Sequence, residues 1–120
     1  MPSDLEGLFA RSEATVPAIY RALLEAIGGF GPIEVQPKST SIHLVAGSAF
    51  AGVHPMKNRL RLNIRTDHPL GGERIVRTEQ ISARRFHNEV DLRSTADVDR
   101  ELLDWLRAAY ALGATGRTPA

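Results

Sequence analysis

The chain has 120 residues, 15 Lys and Arg against 14 Asp and Glu, a formal net charge of +1 and no cysteine. The length suits one domain, and the missing thiol excludes a zinc–thiolate site, a disulfide framework and a cysteine nucleophile. No apolar run approaches the ~20 residues a membrane span needs, and Met1-Pro2-Ser3-Asp4-Leu5-Glu6 lacks the basic-then-apolar order of a secretion signal; a soluble, cytoplasmic, single-domain protein is expected.

The small total conceals a split. Residues 1–34 carry a net −3, residues 35–93 a net +5 and residues 94–120 a net −1. The middle is rich in arginine: Arg59, Arg61, Arg65, Arg74, Arg77, Arg84, Arg85 and Arg93. Such asymmetry can steer an anionic partner, although arginine stems also cover apolar surface on ordinary solvated faces.

In chain order, Leu5, Leu8 and Phe9 have helical spacing, which suggests a short docking helix or ordered arm over residues 1–15. Val16, Ile19, Tyr20, Leu23, Leu24 and Ile27 then recur every three or four residues, the mark of one apolar helical face. Pro17 is tolerated there because it falls in the first turn. Gly28-Gly29-Phe30-Gly31-Pro32 should stop this helix, with glycine as a left-handed cap. Next the period changes to two. Ile33–Gln36 reads as short and extended. Thr40, Ile42 and Leu44 alternate with Ser41, His43 and Val45, and Gly47-Ser48 predicts a tight turn into a strand at about Ala49–His54. Pro55–Asn58 is a further turn. Arg59–Arg65 is the clearest signal, with Leu60, Leu62 and Ile64 on one side and Arg59, Arg61, Asn63 and Arg65 on the other, as in an antiparallel sheet with one wet face. A strand is expected at about Arg74–Gln80. Another is expected at Arg85–Leu92, with Phe86, Asn88, Val90 and Leu92 set against Arg85, His87, Glu89 and Asp91. Ser94 or Thr95 should cap a final helix through a capping box closed by Asp97. Its stripe is Val98, Leu102, Leu103, Leu106, Ala109 and Tyr110, with Trp105 at the edge and Gly113 as its end.

The expected fold is a two-layer α+β domain over residues 16–112: an antiparallel sheet of about five strands, with an N-terminal and a C-terminal helix packed on one face. Residues 113–120 are expected to be a flexible tail. The other sheet face is left to water and carries the arginines.

Ile33-Glu34-Val35-Gln36-Pro37, Ser41-Ile42-His43-Leu44, Phe50-Ala51-Gly52-Val53 and Leu60-Arg61-Leu62 together resemble the core of an uncharacterised bacterial and archaeal family, domain of unknown function 5655. The downstream order is similar too: Arg74-Ile75, then Phe86-His87-Asn88-Glu89-Val90-Asp91-Leu92, then the acidic start at Asp97, Trp105-Leu106 and Ala109-Tyr110. The resemblance covers about residues 16–112 and includes a family histidine at His87. It implies a domain that occurs alone or behind other modules, some of them nuclease-like, which makes nucleic acid a candidate partner by analogy. It implies no activity. Relatives carry a lysine where Ser39 stands here and a phenylalanine at Leu44; if that lysine meets a ligand, either Lys38 replaces it or the contact is lost.

The residues themselves argue against several chemistries. His43, His54, His68 and His87 show no His-x-His or His-x3-His spacing, so no metal or other cofactor is expected. No Gly-x-Ser-x-Gly elbow surrounds Ser39, Ser41 or Ser48. The glycine cluster follows a helix rather than a strand and no Lys-Ser/Thr follows it, unlike a phosphate loop. Glu34 and Lys38 lack the second acid of a nuclease centre, so no catalytic residue is assigned. What remains is a non-catalytic binding module whose basic sheet face engages nucleic acid or another anionic ligand. The candidate contacts are Lys38, His43, Arg59, Arg61, Arg65, Arg77, Arg85 and His87. Aromatics for base stacking are not interleaved with these arginines. The alternative is a small-molecule-binding, protein-interaction or homodimerisation domain, with a pocket near Lys38, His43 and His87.

Overall fold

The computed structural model describes residues 7–115. Helix α1, Thr15–Ile27, buries Val16, Ile19, Tyr20, Leu23 and Ile27, the face expected from the spacing. It leaves through a 3-10 turn, Gly28–Phe30. Gly28 keeps right-handed helical angles, and the conformation that needs glycine falls instead at Gly31, where φ is 138°. Before α1, the Phe9 and Tyr20 rings stand 5.2 Å apart. The Ser12 hydroxyl donates to the Met56 carbonyl at 2.8 Å and the Glu13 N–H to that of Lys57, also at 2.8 Å. The arm expected over residues 1–15 is thus tied down from residue 7 onward; its first six residues lie outside the described part.

Six strands form one antiparallel sheet: β1 Glu34–Pro37, β2 Ile42–Ala46, β3 Ser48–Pro55, β4 Leu60–Thr66, β5 Ile75–Ser82 and β6 Arg85–Leu92, in the order β1-β2-β3-β4-β6-β5. The strand beyond the five expected is β1. It falls on the segment Ile33–Gln36 read as short and extended, and although its residues are mostly exposed it pairs with β2 from Glu34↔Val45 to Pro37↔Ile42. Gly47 alone separates β2 from β3. It has a φ of 73°, and a Cβ there would lie 2.8 Å from the Gly113 carbonyl oxygen.

Helix α2 is Arg100–Thr115. The expected capping box of Ser94 and Asp97 forms, but it caps the 3-10 turn Thr95–Asp97. Val98 breaks the helical path, and Asp99 accepts from the Leu102 N–H at 3.1 Å at the start of α2. Gly113 does not end the helix, which continues to Thr115. A Cβ at Gly113 would come 3.2 Å from the carbonyl oxygens of Ala46 and Ser48 and from Phe50 Cβ, so this residue lets α2 approach the β2–β3 turn. Of the tail expected at 113–120, residues 116–120 lie outside the described part.

The buried side chains of both helices join Ile42, Leu44, Phe50, Val53, Leu60, Leu62, Ile64, Val90 and Leu92 in one core, which gives the two-layer arrangement. Asn88 points into this core and is fully buried with both ends satisfied. Its amide donates to the Ile64 carbonyl at 3.0 Å and to Thr66 Oγ1 at 2.9 Å, while Oδ1 accepts from the Leu70 N–H and the Thr78 hydroxyl. Among the described residues, no helix is long and apolar enough to cross a membrane.

Candidate anion-binding site

The face away from the helices is built by alternation. β4 presents Arg61, Asn63 and Arg65; β6 pairs Asp91, Glu89 and His87 opposite them in that order. Beyond β6, β5 sets Arg77 opposite Glu89 and Glu79 opposite His87. Towards the other edge, β2 contributes His43, opposite Gly52 of β3, and Gly52 in turn faces Asn63.

This register sorts the arginines. Arg61 forms a two-pronged pair with Asp91, Nε at 2.8 Å and Nη2 at 3.1 Å, and Nη1 lies 3.9 Å from Glu89. Arg59 Nε lies 3.3 Å from the second Asp91 oxygen. The hydrogen bond from Arg61, with the charges of Arg61, Arg59 and Arg93, holds the Asp91 carboxyl below its usual range against the opposing effect of burial. Arg77 pairs with Glu79 at 2.9 Å. Off this face, Arg74 is held by Asp99 at 2.8 Å and Glu101 at 3.2 Å. Four arginines of the basic segment are thus neutralised by acids.

Arg65 differs. It is half-buried, and its Nε is buried with no hydrogen-bond partner. Burial lowers its pKa from the ordinary value, but arginine stays charged in proteins. It lines a half-open cavity of about 260 Å³ with Arg85 and His87, walled by Ser48, Phe50, Ile81 and Leu112. No carboxylate lines this space. Arg85 is exposed and makes no ion pair among the described residues. The His87 pKa is lowered, first by burial and then by the Arg65 charge, with Glu79 opposing; the ring is neutral at pH 7. The cavity therefore holds two cations, a neutral imidazole that can donate or accept, and the Ser48 hydroxyl, which donates to the Gly113 carbonyl at 3.1 Å.

Of the eight candidate contacts, the structure brings Arg65, Arg85 and His87 together. Arg59, Arg61 and Arg77 are engaged by acids. His43 lies outside the cavity, its pKa lowered by burial and then by Arg65, Lys38 and His54. Lys38 sits in the β1–β2 turn, its N–H donating to the Ser41 carbonyl at 2.7 Å. The pocket expected near Lys38, His43 and His87 thus keeps only His87. Among the described residues, no three His, Asp or Glu side chains gather as metal ligands.

The sequence profile of the family described as "Domain of unknown function (DUF5655)" matches residues 6–113. The chain belongs to that family. No curated protein and no solved structure matches it significantly. In this DUF5655 domain, sequence reasoning missed Ser48, Phe50 and Leu112 as cavity walls. Phe50 belongs to an apolar stretch and Ser48 is one of several serines, while Leu112 lies beyond the expected apolar stripe of the last helix. The close approach of Gly113 to the β2–β3 turn brings them to Arg65, and a glycine near a helix end signals only a stop.

Proposed function

We propose that this domain is a non-catalytic binding module that captures a phosphate-type anionic group in the cavity of Arg65, Arg85 and His87. One observation carries the reading: the half-buried Arg65, which no acid engages among the described residues, lines a carboxylate-free cavity beside Arg85 and His87. An oxyanion in the cavity would meet the guanidinium groups of Arg65 and Arg85 with charge-assisted bonds. The group belongs either to a small phosphorylated ligand or to a nucleic-acid backbone. The neutralisation of Arg59, Arg61 and Arg77 favours a compact anion over a phosphate track laid along the whole face.

The test is a titration followed by His87 NMR shifts and thermal denaturation, with inorganic phosphate, a nucleoside monophosphate and a short single-stranded oligonucleotide as separate arms. Saturable shifts at His87, lost in Arg65→Gln and kept in Arg61→Gln, are expected. Binding in the first two arms assigns a small ligand, and binding by the oligonucleotide alone assigns a backbone. Silence in all three arms, or equal binding by Arg65→Gln, sinks the proposal.

A further inference from the structure

The sheet has two open edges, and they are treated differently. β1 has four residues and ends in Pro37, which blunts it against further pairing. β5 has eight residues, Ile75–Ser82, with no proline and no lysine, and is exposed along nearly its whole length. Val76 and Ile81, 52% and 51% exposed, are two of the three exposed large hydrophobic side chains among the described residues. Each sits where the register with β6 slips, so together they bracket the regular segment Arg77–Gln80.

We infer that β5 pairs antiparallel with β5 of a second copy, about a two-fold axis at Thr78. The register follows from backbone geometry. Along a strand, outward-facing N–H and C=O groups recur every second residue, and directly opposed residues of an antiparallel pair share the same type. Two copies of one strand can therefore pair only with some residue facing itself. Centring on Arg77 or Glu79 sets like charges face to face, which is destabilising. Centring on Thr78 sets Arg77 against Glu79 of the partner, twice by symmetry, and Val76 against Gln80. The interface is then isologous and closed. In the single chain, Arg77 and Glu79 satisfy each other at 2.9 Å on the same strand and face, so pairing exchanges two internal contacts, one per copy, for two cross-strand ones while it sets apolar Val76 against the partner strand. The resulting sheet is continuous through both copies, and the two anion cavities lie on it symmetrically. Ile81 also lines the anion cavity, but the register rests on Arg77, Thr78 and Glu79 and does not depend on the anion reading.

Sedimentation equilibrium on the full chain tests it, with Arg77→Glu, Glu79→Arg and the double swap compared with the parent. A parent dimer is expected. Each single reversal places two like-charge pairs at the axis and should raise the dissociation constant at least about tenfold, with thermal stability of the monomer showing that the fold survives. The double swap restores complementarity and should restore the dimer. A monomeric parent at high micromolar concentration, or single reversals that associate like the parent, would overturn it.

Discussion

Salt dependence separates a compact anion site from a basic face in one experiment. The perturbation is ionic strength, and the probe is a labelled single-stranded oligonucleotide. The cluster of Arg59, Arg61, Glu89 and Asp91 carries no net charge, and neither does the Arg77–Glu79 pair. A phosphate approaching Arg61 must displace or repel the carboxylate that already holds its fork. Of the five face arginines, Arg65 and Arg85 remain to release counterions, so log K should fall against log salt with a slope of about −1.4, since each neutralised phosphate on a single strand contributes about −0.7. Engagement of all five face arginines would give about −3.5. Between about 50 and 200 mM salt the first case loses roughly sevenfold in affinity and the second roughly a hundredfold. Fluorescence anisotropy measures both. A slope near the steeper value, or an Arg59→Ala/Arg61→Ala variant that loses as much affinity as Arg65→Gln, would refute the assignment of those pairs as closed.

Three further outcomes follow from the geometry. Asn88→Ala removes four hydrogen bonds at a fully buried position and strands the Ile64 carbonyl and the Leu70 N–H, so urea denaturation should show a loss of about 3 kcal/mol; a loss below about 1 kcal/mol contradicts the network. Gly113→Ala should destabilise by about 1 kcal/mol although alanine is ordinarily the better helix former, because its Cβ meets two carbonyl oxygens and Phe50 Cβ at 3.2 Å; a gain in melting temperature would show that the turn yields. His43 and His87 both have native pKa values below their ordinary 6.5, so the unfolded chain binds more protons as pH falls. Stability should therefore drop from above pH 6.5 down through the lowered native values. Phosphate in the cavity should lessen the part due to His87, and denaturation series at several pH values, with and without phosphate, check both statements.

Much of the fold was legible because local chemistry and burial agree. The alternation in Arg59–Arg65 predicts β4 with its faces correctly assigned, since a sheet with one wet side imposes a period of two on its sequence. Glycine between two apolar runs predicts the β2–β3 turn, which needs the positive φ at Gly47. β1 was legible as a short extended segment but not as a member of the sheet, because its pairing is a backbone property that exposed side chains do not report. Asn88 sits at an apolar position of the β6 alternation, but its partners come from β4, β5 and the loop at Leu70, too far apart in sequence to be seen.

The site was only half legible, and the reason is topological. Segment charge suggests a basic face, and it would be one if β4 and β5 were neighbours in space as they are in sequence. The chain instead passes β5 to the outside and inserts β6 between them. That order places Asp91 and Glu89 beside Arg61, so Arg59 and Arg61 are paired before any partner arrives. Only at the far end of the same strands does the acid run out, where β6 offers His87 and Arg85 to Arg65. One long-range pairing choice therefore closes Arg59 and Arg61 with acids and leaves Arg65 and Arg85 at a cavity. A variant with Glu89→Gln and Asp91→Asn would keep the fold's shape but release Arg59 and Arg61, and the salt slope should steepen from about −1.4 towards about −2.8 as four arginines become available. An unchanged slope in that variant would mean that the acids are not what silences the face.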